Sequence, residues 1–201
     1  MMAEIKRPIF MCGENPGLRL YAPNTQQLTA VASYWHCTYS PWGTGNALVL
    51  WLDEQVMPGT ESYRGGGIFT DNLLLAHKLV EVLTPHFPEF HGLPVTELPY
   101  VEASCEHVFD GVQYKAHGRT ETVSVEVVWE EPLDQKYLNW PKFPAGSAAY
   151  DLTTVICPCR TGSVKLNDVA VPGEVQQGQS ADGYPSSTAF LAFAESWVGP
   201  V

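Results

Sequence analysis

The sequence predicts a mainly β protein: an antiparallel β-barrel of roughly eight to ten strands with one α-helix packed across it. Three observations lead there. Apolar residues recur with period two between turn residues along most of the chain, the signature of half-buried strands. One stretch only has helical spacing. Hydrophobic residues make up 45% and charged residues 16% of the 201-residue chain, enough apolar material for one core over residues 1–201. Closure into a barrel would remove the edges that so many apolar strands expose, and a two-sheet sandwich would use the same strands.

Taken in order, residues 18–22 form a short strand before Pro23-Asn24, read as an edge. Residues 28–39 form a long strand carrying Val31, Tyr34, Trp35, Cys37 and Tyr39, which stops at Pro41-Trp42-Gly43. Residues 46–53 are nearly continuous in apolar character, as expected for a strand covered on both faces. The helix begins near Thr70-Asp71, which can cap its free N–H groups. It runs through Leu73, Leu74, Leu75, Ala76, Leu79, Val80 and Leu83, and Pro85 ends it. Residues 98–109 and 112–117 flank Asp110-Gly111, a strong hairpin signal. Residues 119–129 alternate cleanly, with Val123, Val125, Val127 and Trp129 on one face. A strand over 148–156, a tight hairpin at Asn167-Asp168 and a buried final strand over 188–198 complete the set. Residues 130–147 and 172–187 read as irregular loops of the kind that form lids.

Eleven Lys and Arg against 22 Asp and Glu leave a formal charge of −11. Such a balance repels phosphate backbones and anionic membrane surfaces, so neither nucleic acid nor a membrane is expected as a partner. No apolar run suits a signal peptide or approaches the roughly 20 residues needed to span a bilayer. Five cysteines at irregular spacing are an odd number in a chain of this size, which favours reduced thiols and a cytoplasmic location. Cys157-Pro158-Cys159 would place two thiols on one strand face. No second pair of ligands accompanies them, so they read as small buried hydrophobes rather than metal ligands.

Chemistry motifs are mostly missing. There is no P-loop, no dinucleotide fingerprint, no G-x-S-x-G and no His-x-His pair. His36, His107 and His117 stand singly on strands, and no metal or other cofactor is expected. Arg64-Gly65-Gly66-Gly67 reads first as a flexible turn before the helix, and Arg64 could also hold a carboxylate or phosphate.

Residual candidates come from strand faces. On the last strand, Ala189, Leu191, Phe193, Glu195 and Trp197 share a face under strict alternation, so Glu195 is a carboxyl in an apolar row. Burial there would raise its pKa toward neutrality and suit it to general acid–base work. His107 stands among Val101, Ala103, Cys105 and Phe109, and His36 shares its face with Tyr34. The assigned catalytic set is Glu195, with His36 or His107 as partner and Tyr34 as a hydrogen-bond donor to a carbonyl. Trp35, Trp51, Arg64 and Phe193 are assigned to substrate binding, since six Trp, nine Tyr and eight Phe can wall a pocket for a flat apolar molecule.

The strand-rich pattern with a single helix is similar in outline to lipocalin-like barrels, although the expected Gly-x-Trp is replaced by the reversed order Trp42-Gly43. Acetoacetate-decarboxylase-like proteins are a second β-rich analogy. That resemblance implies a Schiff-base lysine in an apolar setting, whereas Lys136 and Lys142 fall in a Pro-rich stretch and Lys115 on a hairpin strand. The functional expectation is a cofactor-independent lyase, isomerase, hydratase or cyclase acting on a small hydrophobic or aromatic metabolite. The alternatives are a non-catalytic binder of the same ligands and an interaction module. Exposed edge strands leave room for a homodimer.

Overall fold

The structure, a computed structural model, describes residues 7–56, 63 and 65–199. Its strands are β1 (Ile9–Glu14), β2 (Gly17–Tyr21), β3 (Leu28–Tyr39), β4 (Gly45–Leu52), β5 (Gly66–Thr70), β6 (Tyr100–Glu102), β7 (Ser104–Phe109), β8 (Gln113–Arg119), β9 (Ser124–Pro132), β10 (Lys136–Ala145), β11 (Ala148–Leu166), β12 (Val169–Ala170), β13 (Gln177–Gln179), β14 (Pro185–Ser187) and β15 (Ala189–Val198). Helix α1 covers Leu73–Val82. Strands pair in the order β6-β5-β4-β3-β1-β15-β11-β9-β8-β7, with β10 and β12 on β11 and with β2 joining β15 and β3.

Two features correct the expected antiparallel barrel. The sheet path has two ends, β6 and β7, rather than closing on itself. It is also mixed, because β5 and β6 run parallel. A parallel pair requires a crossover, and here α1 and three 3₁₀ turns over residues 84–97 supply it. The expected single strand over 98–109 is therefore two, β6 and β7, on different partners. Residues 18–22 are not an edge either, since β2 is paired on both sides.

The sheet rolls over on itself, and β11 is the element that carries it round. Its first part pairs with β15 as far as Pro158, and its second part pairs with β9 from Cys159 onward. Proline fits at this changeover because the ladder it would break is ending there. The two halves press close where Gly118 meets Phe69: a Cβ at Gly118 would lie 2.9 Å from the Phe69 Cβ. Between the halves lies an inner core that includes Tyr34, Leu48, Leu50, Tyr114, Val127, Trp129, Cys157, Cys159 and Leu191. On the outer face of β1, β3, β4 and β5 lies a second core, built by α1 with Val49, Ile68, Trp35 and Trp197.

The hairpins at Asp110-Gly111 and Asn167-Asp168 form as the turn residues demand, with Gly111, Asn167 and Asp168 all at positive φ. Helix α1 is capped by Asn72, whose side chain accepts from the Leu75 N–H at 3.1 Å, rather than by Thr70 or Asp71. The stretches expected to be irregular contain β10 and the β13–β14 hairpin. All five cysteines are free, and Cys157 and Cys159 both lie in the inner core. None of the described lysines is buried. No described helix is long and apolar enough to cross a membrane.

Candidate functional site

Strict alternation fails once on β15, and that failure decides where the candidate site lies. Ala194 has φ 51°, and together with Glu195 it occupies the place opposite Thr154, between the pairs Val155↔Phe193 and Thr153↔Ser196. This is a β-bulge, with one extra residue on one strand. Up to Phe193 the odd residues face the inner core; beyond the bulge Glu195 and Trp197 face the outer one. The expected row from Ala189 to Trp197 is thus cut in two, and Glu195 is separated from Phe193.

Glu195 is 4% exposed and lines an outer-face cavity of about 440 Å³. Phe87, Trp140, Phe143, Leu152, Ile156 and Phe190 supply apolar walls; Asn15, Arg19, His86, Glu89 and Thr154 add polar groups. The Trp197 indole donates to Glu195 Oε1 at 2.7 Å, which fixes the carboxyl and leaves Oε2 for other partners. Burial pushes the acid up to about 7, with the Trp197 bond opposing the shift and Glu89 adding to it. Glu89 is also buried, and desolvation raises it while its own backbone N–H and the charges of Arg19 and His91 pull it down.

Two polar atoms in this cavity lack any hydrogen-bond partner: Arg19 Nε and Glu89 Oε1, both fully shielded. Buried donors and acceptors are normally satisfied, and these two are free to meet a polar group that enters the cavity. Neither residue stood out in the sequence. Arg19 falls between Leu18 and Leu20, where alternation makes it an ordinary outward-facing residue. Glu89 lies in a Pro-rich connector, and its flanking Phe87 and Phe90 were the available hint of burial.

His36, His107 and Tyr34 do come together, but on the other face of the sheet. Asn46 organises them. Its Nδ2 donates to Asp71 at 2.6 Å, and its Oδ1 accepts from the Tyr34 hydroxyl at 2.9 Å and from His36 Nδ1 at 2.8 Å. Because Tyr34 spends its one proton on Asn46, its oxygen accepts from His107 Nδ1 at 3.3 Å, which assigns the tautomer of both rings. His107 Nε2 lies 4.0 Å from Glu14 Oε2, to which the Tyr114 hydroxyl donates at 3.1 Å. Burial raises Tyr34 and Tyr114; it lowers His107, with His36 reinforcing the fall and Glu14 resisting it. Glu14, Phe109, Leu133, Cys157 and Phe193 border a groove at this end.

The remaining candidates scatter. Trp35 and Trp51 belong to the outer core, where Trp35 packs edge-on against Phe87 one layer behind the cavity wall. They do not line the Glu195 cavity. Phe193 stays inside, beside Phe109 and Tyr114. Arg64 lies outside the described residues. His117 faces Glu126 at 3.8 Å, away from His36 and His107. Among the described residues no group of three or more His, Cys, Asp or Glu side chains is placed to hold a metal ion.

No protein family and no curated protein matches the chain. Two solved structures are similar in outline. An acetoacetate decarboxylase from Legionella pneumophila aligns over 99% of this chain and 90% of its own, with a TM-score of 0.46 and 11% identity. A second acetoacetate decarboxylase aligns over 96% and 86%, with a TM-score of 0.39 and 9% identity.

Proposed function

We propose that the chain is an enzyme of lyase or isomerase type, hydratases and cyclases included, which works by general acid–base chemistry on a small hydrophobic or aromatic molecule held in the Glu195 cavity. The observation that supports this reading is a carboxyl poised at about 7 in an aromatic-walled cavity. A group whose pKa sits near ambient pH can both give and take a proton, which is the requirement for general acid–base work. Phe87, Trp140, Phe143 and Phe190 would hold a flat substrate by stacking and burial. The free Nε–H of Arg19 would donate to an oxygen of the substrate and stabilise negative charge there. His86, on the cavity wall, is the histidine within reach of the same space.

The displacement of His36, His107 and Tyr34 to the inner face favours a second reading, a non-catalytic carrier of the same ligand class. One sequence of measurements separates them. Native mass spectrometry of the freshly purified protein identifies any retained small molecule, and that compound is then offered to wild type and to Glu195→Gln. Loss of turnover by about 10²- to 10⁴-fold in the variant, with affinity preserved and no fall in melting temperature, supports the enzyme. Turnover that survives in Glu195→Gln overturns Glu195 as the acid–base group. A wild type that binds the compound and never changes it establishes the carrier.

A further inference from the structure

The Glu195 cavity adjoins a second one at Phe190. Leu138, Ile156 and Phe190, from three adjacent strands, line it on one side, and the same three residues line a second cavity of about 310 Å³. That second space is otherwise bounded by Pro158, Pro185, Tyr184, Ser180, Ser186, Ser187 and Lys136. The β13–β14 hairpin roofs it. This roof is held down: Lys136 forms an ion pair with Asp182 and sits 5.0 Å from the Tyr184 ring centroid, while Gln177 Nε2 donates to the Arg160 carbonyl at 3.0 Å.

We propose that the ligand of the Glu195 cavity carries an apolar tail on the order of 10 Å long, two strand spacings, which runs across Leu138, Ile156 and Phe190 into the groove under the β13–β14 hairpin. The proposal rests on the reading of the Glu195 cavity as a binding site, and it adds the shape of what binds. The reacting head lies between Glu195, Glu89 and Arg19. The tail lies against the apolar side chains of β10, β11 and β15, Pro158 among them, and Pro185 of the roof. An aliphatic or aryl-alkyl chain suits this groove, because Leu138, Ile156, Phe190, Pro158 and Pro185 offer carbon, while Ser180, Ser186, Ser187, Lys136 and the unpartnered Tyr184 hydroxyl are its polar groups.

The test uses the intact chain and straight-chain carboxylates from butanoate to dodecanoate, whose head group suits the Arg19 donor, with binding measured by titration calorimetry. Each added methylene that enters the groove should tighten binding about fourfold, until the groove is filled. Ser186→Phe, which intrudes on the groove from its roof, should abolish the gain for the longer acids and leave butanoate as in wild type. A wild-type series that is flat beyond butanoate overturns the tail while sparing the head-group site. Failure of every chain length to bind overturns both. The wild-type series decides the matter even if Ser186→Phe does not fold.

Discussion

Two clusters of titratable groups flank the same rolled sheet, and they differ in one respect that matters more than composition. In the inner cluster each central group has a partner: Asp71 and Asn46, Asn46 and both Tyr34 and His36, Tyr34 and His107, Tyr114 and Glu14. Around Glu195, Arg19 Nε and Glu89 Oε1 have none, and a cavity lies beside them. A saturated network rigidifies, whereas unpartnered groups beside a cavity are free to meet a ligand, as the proposed function requires. Residue type alone would have favoured the cluster with two histidines and two tyrosines; satisfaction of hydrogen bonds favours the other.

The contrast can be broken at either end. The largest expected effect is on pH dependence. Glu195 holds its proton in the fold up to about 7 but would release it near 4.5 in the unfolded chain. The native state therefore binds more protons across that window, and stability present below pH 4.5 is lost progressively as the pH rises to 7, by roughly 3 kcal/mol in total. Urea titrations at a series of pH values should show this decline in wild type and a flatter profile in Glu195→Gln. Equal slopes in both would mean that the carboxyl is not desolvated as described. Next is Asn46→Ala, which strands the Tyr34 hydroxyl and His36 Nδ1 and should cost about 2 kcal/mol in the same assay. A negligible cost would remove the distinction between a structural network and a functional cavity. Ala194→Gly relieves the positive φ at the bulge and should gain about 1 kcal/mol in thermal unfolding. Smallest of all, Arg19→Met breaks no existing bond. It should leave stability within about 0.5 kcal/mol of wild type while weakening any ligand that offers an oxygen to Nε.

Much of this was legible from alternation. Tyr34 and His36 share the inner face with Asn46, Leu48 and Leu50, as period two requires, whereas Glu195 is buried on the face opposite the apolar row that alternation assigns to it. The hairpins at Asp110-Gly111 and Asn167-Asp168 were legible because positive φ has a local chemical signature. Illegible were the events that alternation does not encode. The bulge at Ala194 sends Glu195 and Trp197 through the sheet, and nothing about an alanine announces it. The continuous course of β11 through Cys157-Pro158-Cys159 runs against proline's reputation as a strand breaker, and becomes understandable only when its partner changes there. The parallel β5–β6 pair depends on where the crossover lands, which is a long-range fact. Trp35 and Trp51, assigned to substrate binding, pack in the outer core with the helix and do not line the cavity.

Position along a strand sets a side in the way that parity sets the sign of an alternating series, and Ala194 is the term at which this series is repeated. Deletion of that one alanine would restore the alternation and carry Glu195 and Trp197 together across the thickness of the sheet, toward Phe193, Glu14 and Tyr114. The acid would then join the histidines, and the outer cavity would lose its buried carboxyl together with the Trp197 ring that packs edge-on against Phe87 and Phe143. In this chain the choice of compartment for a buried carboxyl is made by residue count at Ala194, four positions before Val198, the last paired residue of its strand.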